Sequence, residues 1–376
     1  MNSRERMITA LNHKEPDKVP LDFDGTLATI ITRDANDTLR NYLGLPAEDP
    51  EVAEIMCNTV RVSEDILQLY KVDTRPVYIS DPTAGSFEFK STDTFEDGYG
   101  VTWKKAGPYY DAINRPLKAG TPDELKNAKW ENVSDKATVK GLKEKAKLLY
   151  ENTEYCIIAD IPCIGPFEGG CTLRGYDNFL IDFYYNQKFA QALLDKITET
   201  ALIKWDMLLD EIGEFIQVAA QGDDIGMQQS TYISPEMYRK FIKPLHAKIF
   251  NLIHSKTKAK IFLHTCGSVY DIIPDFIEIG LDILNPIQRF AAKMDIKNLK
   301  KEFGKDLCFW GGGIDIQKQL PFLNKEEIRK EIENTLNIIA TDGGYIFAFT
   351  HNIQPDVSPE KIDHVFKTFL ELRNYK

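Results

Sequence analysis

The stretch KIFLHTCGSVYDIIPDFIEIGLDILN, residues 260–285, decides the fold. It opens on an apolar run, Ile261-Phe262-Leu263, without the alternation of a half-exposed strand. Such a run suits a strand of a parallel sheet, which is buried on both faces. Residues 269–279 then place apolar side chains at helical spacing, and 282–285 return to a short apolar strand. Strand, helix and strand in this order form one βαβ unit.

Outward from this stretch the unit recurs. Strands are predicted at residues 19–23, 77–80, 155–160, 215–220, 260–264, 282–285, 307–311 and 345–349. Amphipathic helical runs at 137–150, 186–210, 235–255, 269–279, 295–303 and 325–340 lie between most of them. This is the pattern of an α/β chain closed into a (β/α)8 TIM barrel, with residues 1–376 as one domain. A doubly wound open sheet would need a Gly-rich phosphate-binding turn after an early strand, and the sequence has none. An N-terminal helix at residues 3–11 is expected to pack across the barrel bottom. Residues 87–103, punctuated by Asp97-Gly98 and Tyr99-Gly100, read as a β-hairpin excursion after the second strand.

Composition narrows the function classes. With 43% apolar and 27% charged residues the chain can build a large core and is not a disordered protein. A formal charge of −11 argues against a nucleic-acid surface. No apolar run is long enough for a membrane span, and residues 1–18 are charged, without a signal-peptide core. Six cysteines without dense spacing do not form a disulfide framework, so a reducing cytoplasm is the expected location.

Polar residues collect just after the predicted strands: Asp22 and Asp24, Asp81, Asp160, Asp223-Asp224, His264-Thr265-Cys266, Asn285, Gly311 to Asp315, and His351-Asn352-Ile353-Gln354. In a barrel these positions converge on one mouth, where active sites of this fold lie. His264 and Cys266, two apart on a strand, point the same way and suit zinc. A lone His-x-Cys pair is more often a buried histidine beside an inert cysteine. Here His351 and Asp223 or Asp224 are available as third and fourth ligands from other strand ends. Tyr109, Tyr110 and Trp103 could line an aromatic pocket or serve equally as core or lid. Gly311-Gly312-Gly313 reads as a point of close backbone approach. Cys156, Cys163, Cys171 and Cys308 read as structural thiols, and His246 and His254 as helix residues facing solvent or the barrel wall.

Several segments together resemble the uroporphyrinogen decarboxylase superfamily over nearly the whole chain. They are Arg4-Glu5-Arg6 with residues 10–20, residues 233–238 with Pro244, residues 264–268, Trp310 to Asp315, residues 343–346, and residues 351–355 with 358–362. The haem-pathway decarboxylases carry an arginine-bearing N-terminal run. Here the corresponding stretch is Asp22-Phe23-Asp24-Gly25-Thr26-Leu27-Ala28, whose carboxylates would repel a polycarboxylate. The resemblance therefore points to the zinc-dependent methyltransferases of anaerobes that work with a corrinoid protein. Their His-x-Cys falls on His264 and Cys266, and their later cysteine on His351. Gly222-Asp223-Asp224 and Asn352-Ile353-Gln354 are similar to the aromatic O-demethylase members.

What this implies is transfer of a methyl group from a small methylated substrate, an aromatic methyl ether foremost, to the cob(I)alamin of a corrinoid partner docked over the mouth. Zinc would be held by His264, Cys266, His351 and Asp223. Asp223, Asp24 and Asp160 are the candidate catalytic residues, and Asp22, Tyr109, Asn285, Gln288 and Asn352 the candidate substrate contacts. The alternatives are a decarboxylase with Asp24 or Asp160 as acid, a methylcorrinoid:thiol methyltransferase, and a non-catalytic corrinoid- or metal-binding protein. Oligomeric state is left open, a homodimer included.

Overall fold

The computed structural model describes residues 1–79, 87–130 and 132–375. Seven parallel strands lie side by side in chain order: β1 (Thr74–Val77), β2 (Cys156–Ala159), β3 (Val218–Gly222), β4 (Lys260–His264), β5 (Ile283–Asn285), β6 (Cys308–Trp310) and β7 (Tyr345–Ile346). The sheet curls, and the backbone at residues 20–22 bonds to both of its edges. Asp22 N–H donates to Phe347 O and Phe347 N–H to Pro20 O, each at 2.9 Å, while Asp73 N–H donates to Leu21 O at 2.9 Å. The expected first strand is therefore reduced to a bridge between Leu21 and Phe347. Pro20 has no N–H to give a ladder, and Leu21 N–H is taken by the Asp73 carboxylate.

Alternate strand residues separate into two layers. Cys156, Ile158, Val218, Ala220, Phe262, Ile283, Cys308, Trp310, Ile346 and Ala348 form an inner cluster. Their neighbours, such as Ile157, Ala219, Leu263 and Phe309, pack outward in the larger cluster shared with the helices. Met7 and Leu11 of helix α1 (Ser3–Leu11) belong to the inner cluster, so this helix plugs one end. With the bottom filled by apolar side chains, chemistry is left to the C-terminal ends of the strands.

The boundaries differ from expectation where polar residues sit inside strands. The second expected strand runs through residues 74–77, not 77–80, because Arg75 is accommodated: its guanidinium pairs with Glu64 and lies over the Tyr155 ring. Ser80 and Asp81 lie outside the described residues. The expected helix at 235–255 is broken by a π-helical turn (Tyr238–Ile242), beyond which the helix Lys243–Lys256 carries Pro244 in its first turn, where no N–H is required.

Two small sheets are added between the barrel elements. One contains Ile31–Thr32, Val52–Glu54 and Thr59–Val60. The other is a four-stranded antiparallel meander, Glu88–Ser91, Thr94–Glu96, Thr102–Ala106 and Tyr109–Asn114, larger than the expected hairpin. Phe95 centres it, packed by Phe87, Phe89, Trp103 and Tyr110. Trp103 and Tyr110 are thus occupied within this sheet. Tyr110 N–H donates to Met56 O at 3.0 Å and ties the two additions together. Among the described residues, no helix is long and apolar enough to cross a membrane.

Candidate metal centre

His264 ends β4, Cys266 follows it by two, and His351 follows β7. Their ligand atoms lie within 4.8 Å of one another, the arrangement that a cation held by two imidazoles and a thiolate requires. Cys266 Sγ is 3.5 Å from His264 Nε2. His264 Nδ1 meets Asn285 Oδ1 at 2.6 Å, and because Asn285 Nδ2 donates to Trp310 O, its oxygen faces the ring. The Nδ1 proton is thereby placed, leaving Nε2 bare toward Cys266. His351 Nδ1 accepts the N–H of Asn352 at 2.8 Å, a bond the ring would release if that nitrogen bound metal. Burial, then the neighbouring His264 imidazole, lowers the His351 pKa and keeps the ring neutral, the form that ligates. Burial, then the Asp224 carboxylate, pushes the Cys266 thiol well up; a bound dication would oppose both effects.

The two aspartates after β3 divide. Asp223 is fully buried, and its oxygens accept Phe167 N–H at 3.2 Å, Glu168 N–H at 2.8 Å and His246 Nε2 at 2.8 Å. It does not join the His264–Cys266–His351 group. Asp224 is the carboxylate beside that group: Oδ1 accepts Cys266 N–H at 2.8 Å and lies 3.8 Å from His264 Nε2. His246, expected on a solvent or wall face, is wholly buried against Asp223.

The other expected site residues are largely engaged by the protein. Asp22 accepts Gly25 N–H, Thr74 Oγ1 and Trp310 Nε1 inside the barrel. Asp24 and Asp160 share the buried Arg61 guanidinium at 3.0 and 2.7 Å. Asp24 also accepts Val62 N–H, and Asp160 accepts Leu27 N–H and Ile161 N–H. Both carboxylates are thus held by Arg61 and backbone N–H groups. Gln288 Oε1 accepts Gly267 N–H at 2.7 Å, and Asn352 Oδ1 accepts Ile30 N–H at 3.0 Å. Tyr109 hydroxyl contacts Gln354 Oε1 and so brings the meander to the loop after β7.

Sequence reading missed Glu168, Tyr176, Tyr232, Glu54 and Cys57. Glu168 Oε2 accepts Asp224 N–H at 3.4 Å. Burial, with the Asp224, Asp223 and Glu54 carboxylates nearby, pushes its carboxyl well above the ordinary range. Tyr232 and Tyr176 pack with ring centroids 5.3 Å apart, and burial together with the charges of Glu168 and Asp224 raises both phenols. Burial and Glu54 raise the Cys57 thiol, which also feels Glu168 and Asp224. None of these residues shares a sequence motif with His264. Glu168, in the Gly165-Pro166-Phe167-Glu168 segment after β2, was the most accessible signal, an acid in the first turn of a predicted βα connection.

A curled parallel sheet with a His–Cys–His cluster at its C-terminal end defines a TIM-barrel-like enzyme class with a candidate metal site. The uroporphyrinogen decarboxylase (URO-D) family matches residues 102–372, and the chain belongs to this family. Among curated relatives, the uroporphyrinogen decarboxylase of Hydrogenobaculum sp. (strain Y04AAS1) is 24% identical over 199 residues, 53% of each chain. That of Ruthia magnifica subsp. Calyptogena magnifica is 24% identical over 180 residues, 47% of this chain and 48% of the relative. The matched stretch thus spans about half the length of these curated relatives. A methyltransferase from Methanosarcina mazei has the same fold from end to end, with a TM-score of 0.65 over 99% of both chains at 17% identity.

Proposed function

We propose that the chain is a zinc-dependent methyltransferase that moves a methyl group from a small methylated substrate, an aromatic methyl ether foremost, to the cob(I)alamin of a corrinoid protein. The observation that carries this reading is the convergence of His264, Cys266 and His351 within 4.8 Å at the strand ends. Zinc bound there would supply Lewis acidity toward the substrate oxygen.

The chain's own residues do the rest. Asn285 fixes the His264 tautomer, and Asp224 holds the Cys266 backbone. In the transfer, the methyl carbon bonds to cobalt and its bond to oxygen breaks. The electron pair stays on oxygen, which takes up a proton. Glu168, which stands against Asp224 and whose carboxyl is raised above the ordinary range by burial and the neighbouring carboxylates, would supply it. Tyr232 and Tyr176 offer ring faces suited to an aromatic donor. With Arg61 committed to Asp24 and Asp160, this acid-rich mouth suits a neutral substrate better than a polycarboxylate.

The experiment is elemental analysis with a methyl-transfer assay on chelator-free protein. About one zinc per chain is expected, lost in Cys266→Ala and His264→Ala while both stay folded. Wild type should methylate cob(I)alamin from methoxylated aromatics, and the variants should not. Absence of zinc uptake would remove the metal reading. Transfer only from methylcobalamin to a thiol would place the enzyme on the acceptor side, and release of carbon dioxide from a carboxylated substrate would make it a decarboxylase.

A further inference from the structure

Helix α2 (Pro166–Arg174) begins without a capping side chain of its own, because its N-cap residue is Gly165. The first N–H groups of a helix need outside acceptors. Here they find one on a different strand: the Asp223 carboxylate, beyond β3, takes both Phe167 N–H and Glu168 N–H. A side chain at residue 165 would collide with this arrangement, since a Cβ there would lie 2.3 Å from Asp223 Cβ. Behind Asp223 stands His246 on helix α3 (Lys243–Lys256), and behind His246 the buried Tyr238 hydroxyl, 3.3 Å from Nδ1. As Asp223 accepts, His246 Nε2 carries a proton, and Nδ1 meets the Tyr238 hydroxyl. The clamp is reciprocal: Glu168 gives its N–H to Asp223 and accepts the N–H of Asp224. An ordinary serine or aspartate N-cap would have closed the helix locally. A buried cross-strand pair instead ties the position of Glu168 to the dipeptide that holds Cys266.

We propose that Asp223 and His246 are positioning residues. They fix the N-terminus of α2 so that the Glu168 carboxyl stands against Asp224, beside the His264–Cys266–His351 cluster. Asp223 acts through the helix it caps and not as a ligand. A displacement of about 1 Å in such a group can cost on the order of a hundredfold in rate. The activity arm of the test rests on the methyltransferase reading and the spectral arm on the metal reading; the exchange arm rests on neither.

The test compares wild type with His246→Leu, His246→Gln, Glu168→Gln and the double variant His246→Leu/Glu168→Gln, loaded with cobalt(II). Gln keeps an N–H near the place of Nε2, and Leu removes it. Amide hydrogen exchange at Phe167 and Glu168 should quicken at least about tenfold in His246→Leu and return to near wild type in His246→Gln. His246→Leu and Glu168→Gln should shift the cobalt(II) visible bands alike, with metal occupancy unchanged. In methyl transfer, kcat should fall by about tenfold or more in each with KM nearly constant, and the double variant should be no more than about threefold worse than the poorer single one. Should His246→Leu not fold, His246→Asn, whose shorter amide falls short of Asp223, takes its place. Unchanged exchange at the two amides, or losses that multiply in the double variant, would overturn the proposal. If wild type transfers no methyl group or takes up no metal, the functional reading falls and the exchange arm still decides the positioning.

Discussion

Asn285 Oδ1 lies 2.6 Å from Nδ1 of His264, and the same amide donates to Trp310 O at 3.0 Å. This fixes which imidazole nitrogen is free. Asn285, expected as a substrate contact, orients the His264 imidazole. Replacing it with Ala should weaken zinc binding by about 10–100-fold without unfolding the protein. Competition against a chromophoric chelator measures this, and wild-type affinity in Asn285→Ala would refute the role.

The adjacent aspartates should fail differently. Asp223→Ala strips the acceptor from the buried His246 and from two backbone N–H groups, one buried and one part-buried, and is expected to destabilise the fold by about 2–5 kcal/mol. Asp224→Ala, at a partly exposed site, should leave the melting temperature nearly unchanged and weaken metal binding or turnover. Denaturant melts alongside zinc titrations separate the two, and the reverse pattern would restore Asp223 as the ligand.

Gly165 has no room for a side chain. A Cβ would sit 2.3 Å from Asp223 Cβ and 2.5 Å from Gly222 O, one of them backbone. Gly165→Ala should cost about 1–3 kcal/mol of stability or more, as overpacking does. A chemical melt at the wild-type midpoint would show that the strand end can yield.

Asp24 sets a pH dependence of stability. Burial, opposed by Arg61, raises its carboxyl to about 7 from an ordinary 3.8. Between those values the folded chain holds a proton that the unfolded chain has released. This contribution is therefore fully present below the unfolded value and is lost as pH rises through the folded one. Asp24→Asn keeps the size without the titration. The melting temperature of wild type relative to Asp24→Asn should fall between about pH 4 and about pH 7 and level off above that. A constant difference would mean that Arg61 keeps Asp24 ionised throughout.

Much of the fold was legible because a strand buried on both faces is apolar through its middle, as Ile157-Ile158, Ala219-Ala220, Ile261-Phe262-Leu263 and Ile283-Leu284 are. The signal failed where side chains solve burial by pairing. Arg75 and Thr74 lie inside β1 yet read as polar, since Glu64, the Tyr155 ring and Asp22 are distant in sequence. The meander around Phe95 was seen only as a hairpin, because its later strands are mostly exposed and carry little apolar pattern.

The site divides in the same way. Residue type and the two-residue spacing of His264 and Cys266 determined from sequence alone that an imidazole and a thiolate share one strand end, because strand geometry is local. That His351 reaches the same point also followed from position after a strand. Which oxygen atoms remain free could only be decided by tertiary structure. Asp223 and Asp224 are chemically identical and adjacent, but successive side chains diverge at a strand end. One carboxylate enters the helix layer to meet His246 and α2, and the other faces Cys266. Sequence specifies the groups and their local direction. Their partners are set by packing between residues 23 to 56 positions apart, which no local pattern records.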